Sequence, residues 1–118
     1  MTLGQVANIP NGFDGMRATL GIMRDFARAS VANPDQIIRT RAERLVSDLP
    51  PRQWFAEIRA LHEFVRDGIR YLRDPVNMER VATPEMTLDI GQGDCDDKAT
   101  LLAALLADFI GRYDPLSV

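Results

Sequence analysis

Apolar residues recur at three- and four-residue steps through most of the chain, the period of helices that turn one face inward. Met16, Leu20, Met23, Phe26 and Ala27 mark the first run and predict a helix from about Asp14 to Val31. Gly21 weakens that helix by about 1 kcal/mol relative to alanine. "NPD" at 33–35 interrupts the pattern and restarts it, because Pro34 suits a first helical turn. Ile37, Ile38, Ala42, Leu45, Val46 and Leu49 define a second helix that stops at Pro50 and Pro51. From about Arg52 to Leu72, the residues Trp54, Ile58, Leu61, Val65, Ile69 and Leu72 form one continuous stripe, with Arg and Glu opposite. A fourth helix is predicted from about Cys95 to Ile110, with Gly111 as its stop.

The rest of the pattern is irregular. Residues 1–13 read as an irregular N-terminal segment, with Gly, Pro and Asn too closely spaced for a regular element. Residues 73–94, "RDPVNMERVATPEMTLDIGQGD", read as a long connection, because Pro75 and Pro84 forbid an extended helix. It has room for one short helical turn and an extended piece around Thr87 to Ile90. Connections of this length are usually functional or disordered. The expected class is mainly α, and the 118 residues suffice for one domain with one core.

Composition narrows this further. Apolar residues make up 46% and charged residues 26%, an ordinary globular mixture. No apolar run reaches the roughly 18 residues of a membrane span, and no secretory signal is evident, so no membrane partner is expected. Net charge is −3, and the arginines are scattered beside Asp and Glu rather than gathered into a basic block with aromatics. Nucleic-acid binding is therefore not expected. Cys95 is the only cysteine and His62 the only histidine, too few for a disulfide or a zinc set. No metal and no cofactor are expected, and a free thiol suits a reducing cytoplasm.

The chemistry concentrates in "GQGDCDDKATLLAALLADF", residues 91–109, where the single thiol stands at the mouth of a helix. Asp94 is a good N-cap, and Asp96 and Asp97 lie in the first turn, where the helix dipole favours anions. A thiol in that position gains thiolate stabilisation, and its N–H is free to donate to a developing oxyanion. Gly91 and Gly93 clear the approach to the sulfur. A second reading makes Cys95 a small buried hydrophobe whose acidic neighbours raise its pKa. On the residues alone the two readings stand level. A calcium loop starting at Asp94 fails, because Lys98, Ala99 and Leu105 occupy its fifth, sixth and twelfth positions.

Three segments in order carry a family resemblance. "GDCDDKATLLAALL" (93–106) resembles the nucleophile segment of the transglutaminase-like superfamily, thiol enzymes with a papain-like core. "FVRDGIRYLRDP" (64–75) resembles the family's preceding helix, and "TPEMTLDIGQGDCDD" (83–97) resembles the linker between the two. With "PPRQWFAEIRALHEFV" (50–65) the run looks most like tail-associated or prophage members, which implies a bacterial or phage-encoded cytoplasmic protein. The resemblance covers about Pro50 to Gly111.

It implies a cysteine peptidase, an amidase or an acyl transferase acting on peptide or protein amides, with Cys95 as nucleophile. The family's His and Asp come later, on strands of an antiparallel sheet, yet no histidine follows Cys95. Asp108 and Asp114 fall too early to match that Asp. The expectation is the four-helix N-terminal part of an α+β papain-like transglutaminase core, with the C-terminal antiparallel sheet missing. A truncated domain or a natural remnant of this kind is expected to be inactive or weak. "RYDPLSV" (112–118) reads as the lead-in to a first strand.

Tyr71 and Gln92 are candidates for lining the cleft or aiding the oxyanion, although Tyr71 also reads as an aromatic closing a helix end. His62, beside the apolar stripe, is expected to be a half-buried packing residue, and Trp54 and Phe55 are expected in the core. The other function class is a non-catalytic helical module that forms homo-oligomers through exposed apolar helix faces.

Overall fold

Leu101, Ala104, Leu105 and Phe109 recur at the spacing that puts them on one helical stripe, and all four are buried. The helix that carries them is the centre of the molecule. The computed structural model describes residues 6–9, 13–50, 52–73 and 79–113. In chain order these form β1 (Val6–Ile9), α1 (Phe13–Ala32), α2 (Ile37–Val46) and α3 (Trp54–Glu63). A π-helical turn (Phe64–Gly68) follows, then β2 (Arg70–Tyr71), β3 (Glu79–Ala82), α4 (Pro84–Ile90), β4 (Gln92–Gly93) and α5 (Cys95–Tyr113). Helices α1, α2, α3 and α4 all pack against α5. The shared core adds Ala27 from α1, Ile38, Ala42 and Val46 from α2, and Leu61 and Val65 from α3 and the π turn. No described helix is long and apolar enough to cross a membrane.

The mainly α class is as the sequence predicts, but there are five helices among the described residues rather than four. The extra one is α4, so Thr87 to Ile90 are helical and not extended. Its signals are conventional: Thr83 Oγ1 accepts from the Met86 N–H at 3.2 Å, and Pro84 stands where a missing N–H does no harm. Gly91, at φ 77°, closes the other end, its N–H reaching the Thr87 carbonyl at 2.8 Å.

The third helix is shorter than its stripe. It runs through α3 and the π turn and ends at Gly68; Ile69 is already extended (φ −107°, ψ 117°). Lys98 Nζ donates to the carbonyls of Arg66 (3.0 Å) and Ile69 (2.9 Å), which serves carbonyls where the helix runs out. Val6–Ile9, expected to be irregular, form a strand antiparallel to β3, from Val6 opposite Ala82 to Ile9 opposite Glu79. Pro34 lies in the turn before α2 rather than in its first turn: Asn33 Oδ1 accepts from the Asp35 N–H at 3.0 Å, and Gln36 (φ 54°) leads into Ile37. Gly111 does not stop α5, which continues to Tyr113. Residues 114–118, with Asp114 and most of the expected strand lead-in, lie outside the described residues.

Burial departs from the stripes on α1 and along the third run, where Ile58 and Leu72 are also exposed. Met16 and Leu20 of α1 are 61% and 65% exposed, while Gly15, Thr19, Ala27 and Ser30 face inward. Trp54 (44%) and Phe55 (81%) are exposed rather than in the core, although the Trp54 ring meets Phe109 edge-on at 6.1 Å. Periodicity finds a helix but not which of its faces the tertiary packing will cover.

Candidate active site

The turn before α5 is held by two aspartates that bond each other's backbone. Asp94 Oδ1 accepts from the Asp97 N–H at 3.0 Å, and Asp97 Oδ2 accepts from the Asp94 N–H at 3.2 Å. This is a reciprocal capping box with Asp where Glu or Gln is usual, and its D-x-x-D spacing is readable in the sequence. Asp97 does more than the box requires. Its Oδ1 accepts from the Ala82 N–H at 2.8 Å, so one carboxylate ties the end of β3 to the start of α5. Both side chains are buried. The positive end of the helix favours their charge.

Gly93 is needed for this close approach. A Cβ there would lie 2.6 Å from the Asp97 Cβ, inside any tolerable contact. Gly91 supplies the left-handed turn that ends α4. Both glycines thus have a structural reason, separate from opening a path to the sulfur.

On the other flank, β4 pairs with β2 in parallel, Arg70 opposite Gln92 and Tyr71 opposite Gly93. The Arg70 N–H reaches the Gly91 carbonyl at 2.9 Å and the Leu72 N–H reaches the Gly93 carbonyl at 2.8 Å. Segments far apart in the chain therefore lie side by side, with Cys95 two residues beyond the pairing. Tyr71 is exposed and Gln92 half-buried at this position.

Cys95 itself is exposed, which overturns the reading of a buried hydrophobe. Its Sγ lies 3.8 Å from Asp96 Oδ1, within reach of a weak S–H donation. Loss of water around the sulfur pushes the thiol pKa up, and the Asp96 and Asp94 carboxylates push it further. The backbone N–H groups of Asp96 and Cys95 pull the other way and do not prevail. The helix mouth points donors at the sulfur, yet loss of water and the adjacent acids together favour the thiol over the thiolate.

The remaining candidates are not gathered here. His62 is exposed on α3, not half-buried against the core. Asp108 is buried within 3.7 Å of Arg39 Nε and lies 13 residues along α5 from Cys95, about 20 Å at the helical rise. Residues that the sequence did not single out do shape the site: Ala82, through its amide, and Lys98, through the carbonyls of the π turn. Neither contact has a local signature, because each joins segments well separated in the chain.

Residues 39–107, more than half of the chain, match the core model of the transglutaminase-like superfamily. No curated protein and no solved structure matches the chain significantly. The matched span runs from within α2 into α5 and contains the β2–β4 pairing, the aspartate-locked turn and the exposed thiol. The chain belongs to the transglutaminase-like superfamily.

Proposed function

We propose that Cys95 is the nucleophile of thiol-dependent amide chemistry, as a cysteine peptidase, an amidase or an acyl transferase. The supporting observation is an exposed sulfur on a rigidly capped helix N-terminus, faced by the N–H groups of Cys95 and Asp96. In such a step the sulfur attacks an amide carbonyl, a thioester forms, and the amine leaves carrying the thiol proton. Water or a second amine then resolves the thioester. In this reading the Cys95 and Asp96 amides, or Tyr71 and Gln92 from the paired strands β2 and β4, steady the oxyanion.

The proton is the missing part. The charged groups acting on the sulfur are carboxylates that hold its proton, and no histidine follows Cys95 in these 118 residues. The 118-residue chain is therefore expected to turn over amides weakly or not at all, and to gain from an added base. The test supplies one: the chain is incubated with p-nitrophenyl acetate and increasing imidazole, and the acyl group is located by mass spectrometry. The expected result is acetyl on Cys95, nitrophenolate release above the imidazole-only rate by an excess that rises with imidazole, and neither the acetyl nor the excess in Cys95→Ala. Acetylation confined to other residues, or equal rates in Cys95→Ala, would sink this reading.

A second reading, a non-catalytic module that self-associates, rests on a different observation. Phe55, Trp54 and Ile58 share an exposed face of α3, and Met16 and Leu20 are exposed on α1. Exposed apolar helix faces of this kind are suited to an interface between copies of the chain. Light scattering of the purified chain is expected to give a dimer that Phe55→Glu returns to monomer. A monomer across all concentrations removes this reading.

A further inference from the structure

Lys98 is the only lysine of the chain, and it stands about one helical turn after Cys95 on α5, half-buried. Its backbone N–H donates to the Asp94 carbonyl at 3.0 Å, which closes the turn that contains the sulfur. Its Nζ donates to two carbonyls of another segment, Arg66 at 3.0 Å and Ile69 at 2.9 Å. The ammonium charge strengthens both bonds.

Those carbonyls lie where the third helix gives way to β2. In an unbroken α-helix the Arg66 carbonyl would accept from the Arg70 N–H, four residues on. Here the Arg70 N–H goes to the Gly91 carbonyl at 2.9 Å, and Lys98 takes its place on Arg66. The Ile69–Arg70 peptide unit is thus held at both ends, its C=O by Lys98 on α5 and its N–H by Gly91 at the end of α4. The Ile69 side chain is buried in the core. One residue past Tyr71, the Leu72 N–H meets the Gly93 carbonyl at 2.8 Å. The segment from Gly93 to Lys98, with Cys95 inside it, is therefore braced at both ends by bonds to the chain at β2.

We infer that Lys98 is a positioning residue of the Cys95 site: its two bonds fix β2 against the Cys95 turn, and acylation of the thiol depends on that fixed spacing. The inference rests on the reading of Cys95 as a nucleophile and adds a residue that acts on it from one turn away. Attack on a carbonyl needs the acyl group oriented at the sulfur and its oxygen met by donors, so it is sensitive to displacements of about 1 Å in the surrounding backbone. Alkylation needs only an accessible thiolate. The charges that act on the sulfur are those of Asp96 and Asp94, so Lys98 works through the strand rather than through the thiolate.

The test compares two reactions of Cys95 in Lys98→Met, which keeps most of the side-chain stem and loses its donors. In the first, the full chain is treated with p-nitrophenyl acetate in imidazole buffer, and acetyl on Cys95 is followed by mass spectrometry. The sulfur bonds the acetyl carbon, the ester C–O bond breaks, nitrophenolate leaves and imidazole takes the thiol proton. In the second, iodoacetamide alkylates the same thiol in the same buffer. Lys98→Met is expected to lower the acetylation rate by about tenfold or more, while alkylation stays within about twofold of wild type. Amide exchange at Arg70 and Leu72 is expected to quicken. Lys98→Arg, whose fork can serve both carbonyls, is expected to restore most of the acetylation. Where Lys98→Met does not fold, Lys98→Gln, which keeps one amide donor group, carries the same comparison with a loss of about threefold or more. Acetylation within about twofold of wild type in the folded variant, or acetylation and alkylation lost alike, would overturn the inference. A wild-type chain that takes no acetyl on Cys95 fails the nucleophile reading itself, and this inference with it.

Discussion

Asp97→Ala is expected to lower stability by about 3 to 5 kcal/mol, a large part of the roughly 5 to 15 kcal/mol available to a domain. The carboxylate accepts from two backbone N–H groups, Ala82 at 2.8 Å and Asp94 at 3.2 Å. Each amide left without an acceptor in a buried setting costs about 1 to 3 kcal/mol, and half of the capping box goes as well. Asp97→Asn is expected to fall between, because one oxygen can still serve Ala82 while the amide NH₂ faces the Asp94 N–H donor. Urea unfolding measures the loss, and hydrogen exchange locates it, with Ala82 and Asp94 exchanging fastest relative to wild type. A loss below about 1 kcal/mol would show that the turn does not depend on this carboxylate. Gly93→Ala pushes on the same group from the other side and should show the same exchange pattern.

Alkylation of Cys95 by iodoacetamide is expected to be slower at about pH 7 than that of a cysteine in an unstructured peptide. The cause is the raised thiol pKa, from loss of water first and from Asp96 and Asp94 next. Only the thiolate reacts, so a raised pKa lowers the reactive fraction near neutrality, and the gap closes once both thiols are ionised. The sign carries over to stability. A thiol whose folded pKa is above its unfolded one contributes stability below the unfolded value and loses it as pH rises through the folded value. Asp96→Asn removes one of the raising charges without touching the capping box, so its alkylation should be faster than wild type across the neutral range. A wild-type rate above that of the free peptide would reverse this account and make the helix N-terminus the dominant influence.

The structure separates what the helix mouth does in general from what it does here. Helix N-termini favour thiolates, and the Cys95 and Asp96 amides do pull that way. Loss of water around the sulfur, with the carboxylates beside it, outweighs them. An enzyme built on this turn thus depends on a base brought to the thiol, more than on a thiol that is already ionised.

Much of this was legible in the residues, for local reasons. Periodicity located four helical runs, because a helix repeats its buried face every three to four positions whatever it packs on. Asp94 before the Ala/Leu run marked the start of α5, since capping is a contact between residues three apart. The T-P-E and Gly91 signals of α4 were also present; prolines that forbid a long helix do not forbid a short one that begins at Pro84. The family resemblance likewise stood in three short segments, and the match over 39–107 contains all three.

What the tertiary structure alone decided is every contact between segments far apart. The pairing of β1 with β3 and of β2 with β4 joins short strands that show no alternation, so no periodicity announces them. The exposure of Met16, Leu20, Trp54 and Phe55 depends on which helix face α5 and its neighbours cover. The second bond of Asp97, to Ala82, and the bond from Ser30 to Glu85 exist only once β3 meets α5 and α1 meets α4. Spacing along one helix fixes which residues share a side; only the packing of helices against one another fixes which side is inside and what meets there.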